Sequence, residues 1–412
     1  MGDLENPEST NTVNGGAELP PNGTPVTPEP SVHTSPGGGS KKKMLLIVAV
    51  VAVLVLAGGA AAYMMLGNKK EVTKTKQNFK VGVLLPFSGG ASGSGFGELK
   101  GVQLAKKQLG ADNIELVQAD SKCDKDEAAK AIKELIAKGV VAIIGEACSG
   151  ASLGALPDAN TSKIPMVSPS ASSPELSIAN DYFFRVIPPD QFQGKFTAQL
   201  LYEKGLKNVA VLHTDESYGN ALAEVFAKEL EKLGGKVVSN GSFASDAIDL
   251  QTQTDELKAA SPQAIYLISN SSPSAIAALK LVRDAGVTAP FYGADSINDN
   301  AILSEAQAAG EGLTVTTFSA GTKAFKQALT NEYPSEEFLY AAAEGYDAFA
   351  AIYKALETGA TTGEQVKTAL EKVNFAGVSG RIKFNTEGEL TEAEHAYDIV
   401  QAKDGTFVPV EE

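Results

Sequence analysis

Short apolar segments alternate with helical patterns along this chain from Phe79 onward, and this alternation constrains the fold more than any other feature. Residues 114–117 form one apolar segment, and residues 125–138 follow with alanine, isoleucine and leucine at spacings of three and four, the period of a buried helix face. The alternation starts again near residue 208. Repeated strand–helix–strand units require mostly parallel sheets that helices cover on both faces. The sequence therefore predicts an α/β fold.

The roughly 335 residues that follow residue 77 exceed one comfortable hydrophobic core. We therefore predict two Rossmann-like lobes that are joined by three hinge crossings. Pro188-Pro189 marks the first crossing because this pair cannot continue a strand, and residues 313–318 are interpreted as the second crossing. The predicted boundaries are 78–188 plus 318–384 for lobe 1, and 189–317 plus 385–412 for lobe 2.

The segment before the lobes has two parts of contrasting composition. Residues 1–43 start with a Pro- and Gly-rich stretch that cannot bury enough apolar surface to offset the loss of chain entropy, which predicts a disordered tail. Residues 44–66 carry no charge and are long enough to cross a bilayer as one helix. We predict a single transmembrane signal anchor here, followed by a linker over 67–77. A cleavable signal peptide is the alternative, because Ala60-Ala61-Ala62 resembles a cleavage site.

Two cysteines, Cys123 and Cys148, bear on which side of the membrane the lobes occupy. Lysines flank residues 44–66 on both sides, so the positive-inside rule leaves the orientation open. If the cysteines pair, the lobes face an oxidising compartment and the tail is cytosolic. We therefore predict a single-pass protein of the cell membrane with extracytoplasmic lobes. Separately, a net charge of −15 argues against a nucleic-acid partner, which would require basic patches.

Small hydroxyl-bearing residues follow two of the predicted strands. Ser149 comes after the apolar segment 140–144, while Ser170 and Ser172 come after the segment 164–167. Ligands of open α/β sheets bind at the carboxyl ends of the strands, where hydroxyl groups and a helix N-terminus stabilise a carboxylate. The pattern predicts the capture of a small zwitterion without any chemistry on it. Ordinary helix caps and turns are the alternative interpretation of each serine.

The order of several short motifs resembles that of the leucine/isoleucine/valine-type periplasmic binding proteins, the substrate-binding components of ABC importers. The motifs are Cys123-Asp124, Cys148-Ser149, the serine- and proline-rich stretch 168–176, Tyr218-Gly219 and Gly293-Ala294-Asp295. The resemblance covers residue 78 to about residue 405, whereas the tail and the anchor depart from the family pattern. It implies a type I periplasmic-binding-protein fold, an amino-acid ligand and an ABC transporter permease as the partner.

The same resemblance implies roles for individual residues of the head-group site. The ligand carboxylate would contact Ser149, the backbone amides of Ser170 and Ser172, and the Ser172 hydroxyl. The ligand ammonium would contact the carboxylate of Asp295, which is one methylene shorter than the glutamate that is commoner at this position in the family.

The predicted wall around the ligand side chain contains Phe96 and Tyr218, which match aromatic positions of the family. Asn270 stands where the family commonly has an aromatic residue, so the pocket is predicted to be roomier or more polar than one for branched-chain ligands. A disulfide between Cys123 and Cys148 is predicted, with two buried free thiols as the alternative.

Enzymatic functions fit this sequence less well. The glycine-rich loop 89–97 lies after a predicted strand, but the dinucleotide motif G-x-G-x-x-G is absent, because three residues other than glycine follow Gly97. The chain has three histidines, of which His213 and His395 lie in the lobes without an evident nucleophile beside them. We predict a monomer that is not an enzyme and binds no cofactor or metal. The alternatives are a ligand-sensing receptor and, less well supported, a secreted dinucleotide-dependent oxidoreductase.

Overall fold

The structure is a computed structural model, and it describes residues 77–335, 340–391 and 397–410. The predicted tail, the predicted anchor and almost the whole of the predicted linker lie outside these residues. Within the described ranges, no helix is both long enough and apolar enough to cross a bilayer.

The first lobe is built on a sheet of five parallel strands in the order β2-β1-β3-β4-β5. Its strands are β1 (Phe79–Leu85), β2 (Ile114–Asp120), β3 (Ala142–Gly145), β4 (Met166–Ser168) and β5 (Phe183–Arg185). Its first helices are α1 (Ser92–Gln108), α2 (Lys125–Ala137) and α3 (Ser149–Ser162), with a short 3-10 helix at Pro174–Leu176. All four residues of β3 are buried, as expected for a parallel strand covered on both faces.

The second lobe is built on a parallel sheet in the order β7-β6-β8-β9-β10. Its strands are β6 (Asn208–Thr214), β7 (Lys236–Phe243), β8 (Ala264–Ile268), β9 (Phe291–Gly293) and β10 (Thr314–Phe318). Its helices are α4 (Asp190–Glu203), α5 (Ser217–Lys232), α6 (Gln251–Ala260), α7 (Ser272–Asp284) and α8 (Asn300–Ala306), with 3-10 helices at Asp295–Ile297 and Gln307–Gly310. The predicted crossing at 313–318 is therefore mostly a buried strand of this sheet, and the crossing follows it.

The chain then returns to the first lobe before it ends in the second. The returning elements are α9 (Lys323–Glu332), α10 (Ala342–Glu357), α11 (Gly363–Leu370), β11 (Asn374–Ala376) and β12 (Arg381–Lys383). The last strands, β13 (Tyr397–Lys403) and β14 (Thr406–Pro409), extend the second sheet, in which β13 is antiparallel to β10 and β14 is antiparallel to β13. The chain thus passes between the sheets three times. The predicted α/β class with mostly parallel sheets is confirmed.

A glycine allows the returning helix α10 to pack closely on α1. A Cβ atom at Gly101 would lie 1.8 Å from the carbonyl oxygen of Ala342, so no larger residue fits between these helices. The close approach brings the segment before α10, which contains Tyr340, to the cleft between the lobes.

The structure moves one predicted lobe boundary. Residues 385–391, which the sequence analysis placed in lobe 2, lie against the first sheet, where Arg185 N–H donates to the carbonyl of Gly388 over 3.0 Å. Arg185 is fully buried, and its guanidinium is paired with the carboxylate of Glu389. A buried guanidinium requires such a partner, which explains why this segment stays with the first lobe.

Candidate functional site

Both sheets have a point at which the strand order reverses, and these points face one cleft. In the first sheet β1 lies between β2 and β3, and in the second sheet β6 lies between β7 and β8. Open α/β sheets bind ligands outside the carboxyl ends of the strands at such a reversal. The loops or first helical turns that follow β1, β3, β6 and β8 all contribute residues to a single cavity.

Five of the seven predicted site residues line this cavity: Ser149, Ser170, Tyr218, Asn270 and Asp295. Ser149 and Ser170 come from the first lobe, and the other three come from the second. The strand-end pattern pointed to the two serines, and the family resemblance pointed to the other three residues. Their predicted roles toward a ligand remain predictions.

Among the described residues, Asp295 is one of two whose carboxyl groups line the cavity, the other being Asp299. Asp295 is 2% exposed and starts the 3-10 helix after β9. The hydroxyl of Tyr218 donates to Oδ1 over 3.0 Å, and the hydroxyl of Tyr340 donates to Oδ2 over 2.5 Å. Burial nevertheless raises the pKa of Asp295 above its ordinary value. The two hydroxyl donors are neutral, so they do not supply a counter-charge for this carboxylate. A cation that arrives with the ligand would supply it and would favour the charged form of Asp295.

The two predicted serines of the first lobe that line the cavity differ in what their hydroxyl groups contact. Ser149 is the first residue of α3, and its Oγ accepts the backbone N–H of Ser173 over 3.1 Å, which leaves its own hydrogen free to donate. Ser170 Oγ donates to Oε1 of Glu98 over 2.5 Å. The N-terminal turn of α3 therefore offers N–H groups and a hydroxyl donor to the cavity.

Ser172 lies beneath the cavity rather than in its lining. It is 1% exposed and lies beside the fully buried Asp190. Burial raises the pKa of Asp190 to about 8, although the interaction with the Ser172 hydroxyl acts to lower it. Sequence reasoning did not select Asp190, although its position directly after Pro188-Pro189 marks it as the first residue beyond a hinge crossing.

Glu98 is a second acid that the sequence analysis missed. It is fully buried in α1, and burial raises its pKa well above the ordinary value. Its Oε1 accepts from Ser170 and, over 3.4 Å, from Ser94, while Oε2 has no partner among the described residues. A single glutamate in a predicted helix gives no indication in the sequence that its side chain is buried. Its place beside the cavity is evident only from its contact with Ser170.

Phe96, predicted as part of the wall around the ligand, does not line the cavity. Its side chain is 46% exposed, and its ring packs on Phe87 at 5.7 Å between centroids. The rotation of α1 explains the difference. A Cβ at Gly95 would lie 2.1 Å from the carbonyl oxygen of Pro86, so the Gly95 face of the helix is pressed against that loop and Phe96 points outward.

The predicted Cys123–Cys148 disulfide is confirmed. It joins the loops after β2 and β3, with 5.5 Å between the two Cα atoms. Cys148 lines the cavity, and Asn270 Nδ2 lies 3.6 Å from Cys123 Sγ across the cleft. The bridge therefore fixes the first-lobe edge of the site.

The two lobes contact each other around the cavity. Ser217, at the start of α5, donates to the carboxylate of Glu175 over 2.6 Å. On the other side of the cleft, the backbone N–H of Ser272 donates to the carbonyl of Gly90 over 3.1 Å. A Cβ at Gly90 would lie 2.4 Å from Ser271 Oγ, so the glycine permits this approach.

Two features of the described residues bear on enzymatic chemistry. Gly150–Gly154 reads G-x-S-x-G, but the segment lies within α3, and its fully buried Ser152 hydroxyl contacts the Glu146 carbonyl at 3.3 Å. A nucleophile elbow instead exposes its serine on a strand-to-helix turn. In the same described ranges, no group of three or more His, Cys, Asp or Glu residues could hold a metal ion.

Comparison with protein families and known proteins gives concordant matches. The model of the family described as periplasmic binding protein matches residues 78–406. The leucine-, isoleucine-, valine-, threonine- and alanine-binding protein of Pseudomonas aeruginosa is 29% identical over 71% of this chain and 81% of that protein. A metabotropic glutamate receptor-like protein E of Dictyostelium discoideum is 26% identical over 67% of this chain but only 37% of its own length.

Solved structures show the same similarity in three dimensions. A leucine binding protein from Thermotoga maritima matches 81% of this chain and 98% of its own, with a TM-score of 0.74 and 29% identity. A branched-chain amino acid substrate binding protein from Streptococcus pneumoniae, solved in complex with isoleucine, matches 81% of this chain and 100% of its own, with a TM-score of 0.72 and 27% identity. This chain therefore belongs to the periplasmic binding protein family, and within it to the type I proteins of the branched-chain amino-acid type.

Proposed function

We propose that this protein captures a free amino acid by closing its two lobes around it. The observation that carries the proposal is the position of Asp295 across one cavity from the N-terminus of α3. A free amino acid brings an ammonium and a carboxylate close together, and each is costly to bury unless it is paired or fully hydrogen-bonded. Asp295 is the acceptor for the ammonium, and Ser149 with the N–H groups of α3 receives the carboxylate.

The names of the relatives support the same class of ligand. The Pseudomonas aeruginosa protein is named for five amino acids, and the Streptococcus pneumoniae structure contains isoleucine. Unlike a purely apolar pocket, this cavity has Asn270 and several serines in its lining. The α-amino-acid head group is therefore the element that these ligands share.

A binding experiment with modified head groups tests the proposal. The purified full-length chain is titrated by calorimetry with the standard L-amino acids, and the tightest ligand is compared with its decarboxylated amine and its N-acetyl derivative. We expect both modifications to weaken binding by about 100-fold or more, because each leaves one half of the site unpaired. Equal affinity for the N-acetyl derivative would show that no ammonium is recognised and would contradict the proposal.

Closure of the lobes predicts a specific effect at Gly90. Replacement by valine places side-chain atoms where Ser271 lies, within 2.4 Å of its Oγ, and overpacking of this kind costs about 1–3 kcal/mol. We expect Gly90→Val to weaken ligand binding by about tenfold while the ligand-free protein keeps its thermal stability. Ala137→Val is the matched control, because Ala137 is an exposed residue of the same lobe outside this cavity. Equal affinities for both variants would contradict closure by this contact.

Delivery to an importer is the second part of the proposal. Ligand contacts with both lobes favour the closed arrangement, which a permease in the same membrane can recognise. The predicted anchor at 44–66 and the linker at 67–77 would hold the receptor near that permease at a high effective concentration. Deletion of residues 1–66 is expected to lower amino-acid uptake by cells while the binding affinity of the remaining chain is unchanged.

A ligand-sensing receptor is the second candidate function, and the match to a receptor-like protein of Dictyostelium discoideum favours it. A sensor would pass ligand occupancy to a partner of the tail on the other side of the membrane. Deletion of residues 1–40 distinguishes the two functions. Loss of a cellular response with unchanged uptake supports sensing, and unchanged response and uptake support import.

A further inference from the structure

The part of the cavity that the amino-acid head group does not use is lined by polar side chains. Ser94 lies on the first-lobe side, and Asn270, Ser272, Ser296 and Asp299 lie on the second-lobe side. The small apolar side chains of the lining are Ala91 and Ala147. Pockets for hydrocarbon ligands are lined mainly by apolar and aromatic groups instead.

Asp299 presents one carboxylate oxygen toward the first lobe. It is the N-cap of α8, where Oδ1 accepts the N–H of Ala301 over 2.9 Å. Its Oδ2 lies 3.4 Å from the point that a Cβ at Gly93 would occupy, so this oxygen faces the start of α1 across the cleft. The helix-capping bond of Oδ1 therefore holds the Asp299 side chain in place, while Oδ2 stays available as an acceptor at the cavity.

Among the described residues, the amide of Asn270 has two weak side-chain contacts. Its Oδ1 is 3.4 Å from Ser245 Oγ, and its Nδ2 is 3.6 Å from Cys123 Sγ. The contact of Oδ1 is longer than a strong hydrogen bond between oxygen atoms, so this carbonyl oxygen keeps most of its capacity to accept from a ligand. Asn270 and Asp299 together offer acceptors to a group that enters between them.

We propose that the ligand is an amino acid whose side chain ends in a hydrogen-bond donor, such as a hydroxyl, an amide or an ammonium group, and that Asp299 selects it. This inference rests on the proposed function and names the class of its substrate. A hydrocarbon side chain would remove water from the Asp299 carboxylate and the Asn270 amide without replacing its hydrogen bonds. Sites built to hydrogen-bond a ligand group reject analogues without that group by factors of up to about 10⁴–10⁵.

Matched pairs of amino acids provide the test. Calorimetry of the full-length chain compares L-threonine with L-valine, L-glutamine with L-methionine, and L-lysine with L-norleucine, since the members of each pair have similar sizes but differ in the donor. We expect the tightest ligand to carry a donor and to bind about tenfold or more tightly than its apolar match.

The Asp299→Asn variant assigns this preference to one side chain. Asparagine is as good an N-cap as aspartate, so α8 stays intact while one acceptor oxygen becomes an amide nitrogen. We expect the affinity ratio of the preferred pair to fall by about tenfold, with a smaller change for the apolar member. Asp124→Asn is the matched control, because Asp124 is the exposed N-cap of α2 outside this cavity and its replacement should leave the ratio unchanged.

Two results would overturn this inference without overturning the proposed function. In the first, the tightest ligand is an apolar amino acid that binds at least as tightly as its donor-bearing match. In the second, Asp299→Asn leaves the affinity ratio of the preferred pair unchanged. Both results keep the proposed amino-acid binding. Binding of none of the amino acids overturns the proposed function and this inference together.

Discussion

Replacement of Asp295 by asparagine is expected to weaken amino-acid binding by about 100-fold or more. Removing one partner of a buried charge pair costs about 2–5 kcal/mol, and a tenfold change in affinity corresponds to about 1.4 kcal/mol. In this variant the ligand ammonium loses the counter-charge that Asp295 supplies. The affinity is measured by calorimetry with the tightest amino acid found for the unmodified chain.

The same substitution should leave the ligand-free protein folded. Burial raises the pKa of Asp295, so its charged form is disfavoured in the folded state and a neutral amide of the same shape removes that penalty. We therefore expect an unchanged or higher thermal unfolding temperature for Asp295→Asn. Asp246→Asn is the matched control, since Asp246 is an exposed residue of the same lobe outside this cavity. An unchanged dissociation constant for Asp295→Asn would remove this residue from the site.

Loss of the Cys123–Cys148 disulfide is expected to produce the largest change in stability. The bridge joins residues 25 positions apart in the sequence, and the chain-entropy model gives about 3.5 kcal/mol for a loop of this length. We expect the double replacement Cys123→Ser with Cys148→Ser to lower the free energy of unfolding by about that amount. Urea denaturation of the oxidised protein and the double variant measures the difference.

A reduced sample of the unmodified chain serves as the control for the disulfide. Reduction removes the bond without adding hydroxyl groups, so agreement between the reduced protein and the double serine variant assigns the loss to the bond itself. Since Cys148 also lines the cavity, we expect ligand affinity to fall in both samples. A change of less than about 1 kcal/mol in both would contradict the chain-entropy argument for this loop.

The strands and the first-lobe hydroxyl groups of the site follow from local patterns in the sequence. Segments such as β3 are apolar throughout because a parallel strand is buried on both faces, and Ser149 follows β3 after a short loop. The carboxyl ends of parallel strands meet at one edge, so predicting the strands also predicts that Ser149 and Ser170 lie close together. The motif order added Asp295 and Tyr218 from the second lobe.

The strand β14 shows a local signal that the sequence analysis did not use. Asp404-Gly405 connects β13 to β14, and both residues have positive φ angles, 52° and 78°. An Asp-Gly pair favours such a hairpin turn. In contrast, the rotation of α1 about its own axis has no local signal in the sequence. It is set by the contact of Gly95 with Pro86, which turns Phe96 away from the cavity.

The sequence by itself determined the α/β class and the position of Ser149 and Ser170 at the cavity, because strand burial and strand ends are local properties of the chain. The order of the motifs added Tyr218 and Asp295, and the two cysteines left one possible disulfide, whose formation the structure decided. Only the tertiary structure placed Glu98, Asp190 and Asp299 at or beneath the cavity. Their positions depend on helix packing, on a hinge crossing and on the approach of the two lobes, which join residues that are distant in the chain. A buried acid acquires its raised pKa from these distant neighbours, and its own segment does not encode them.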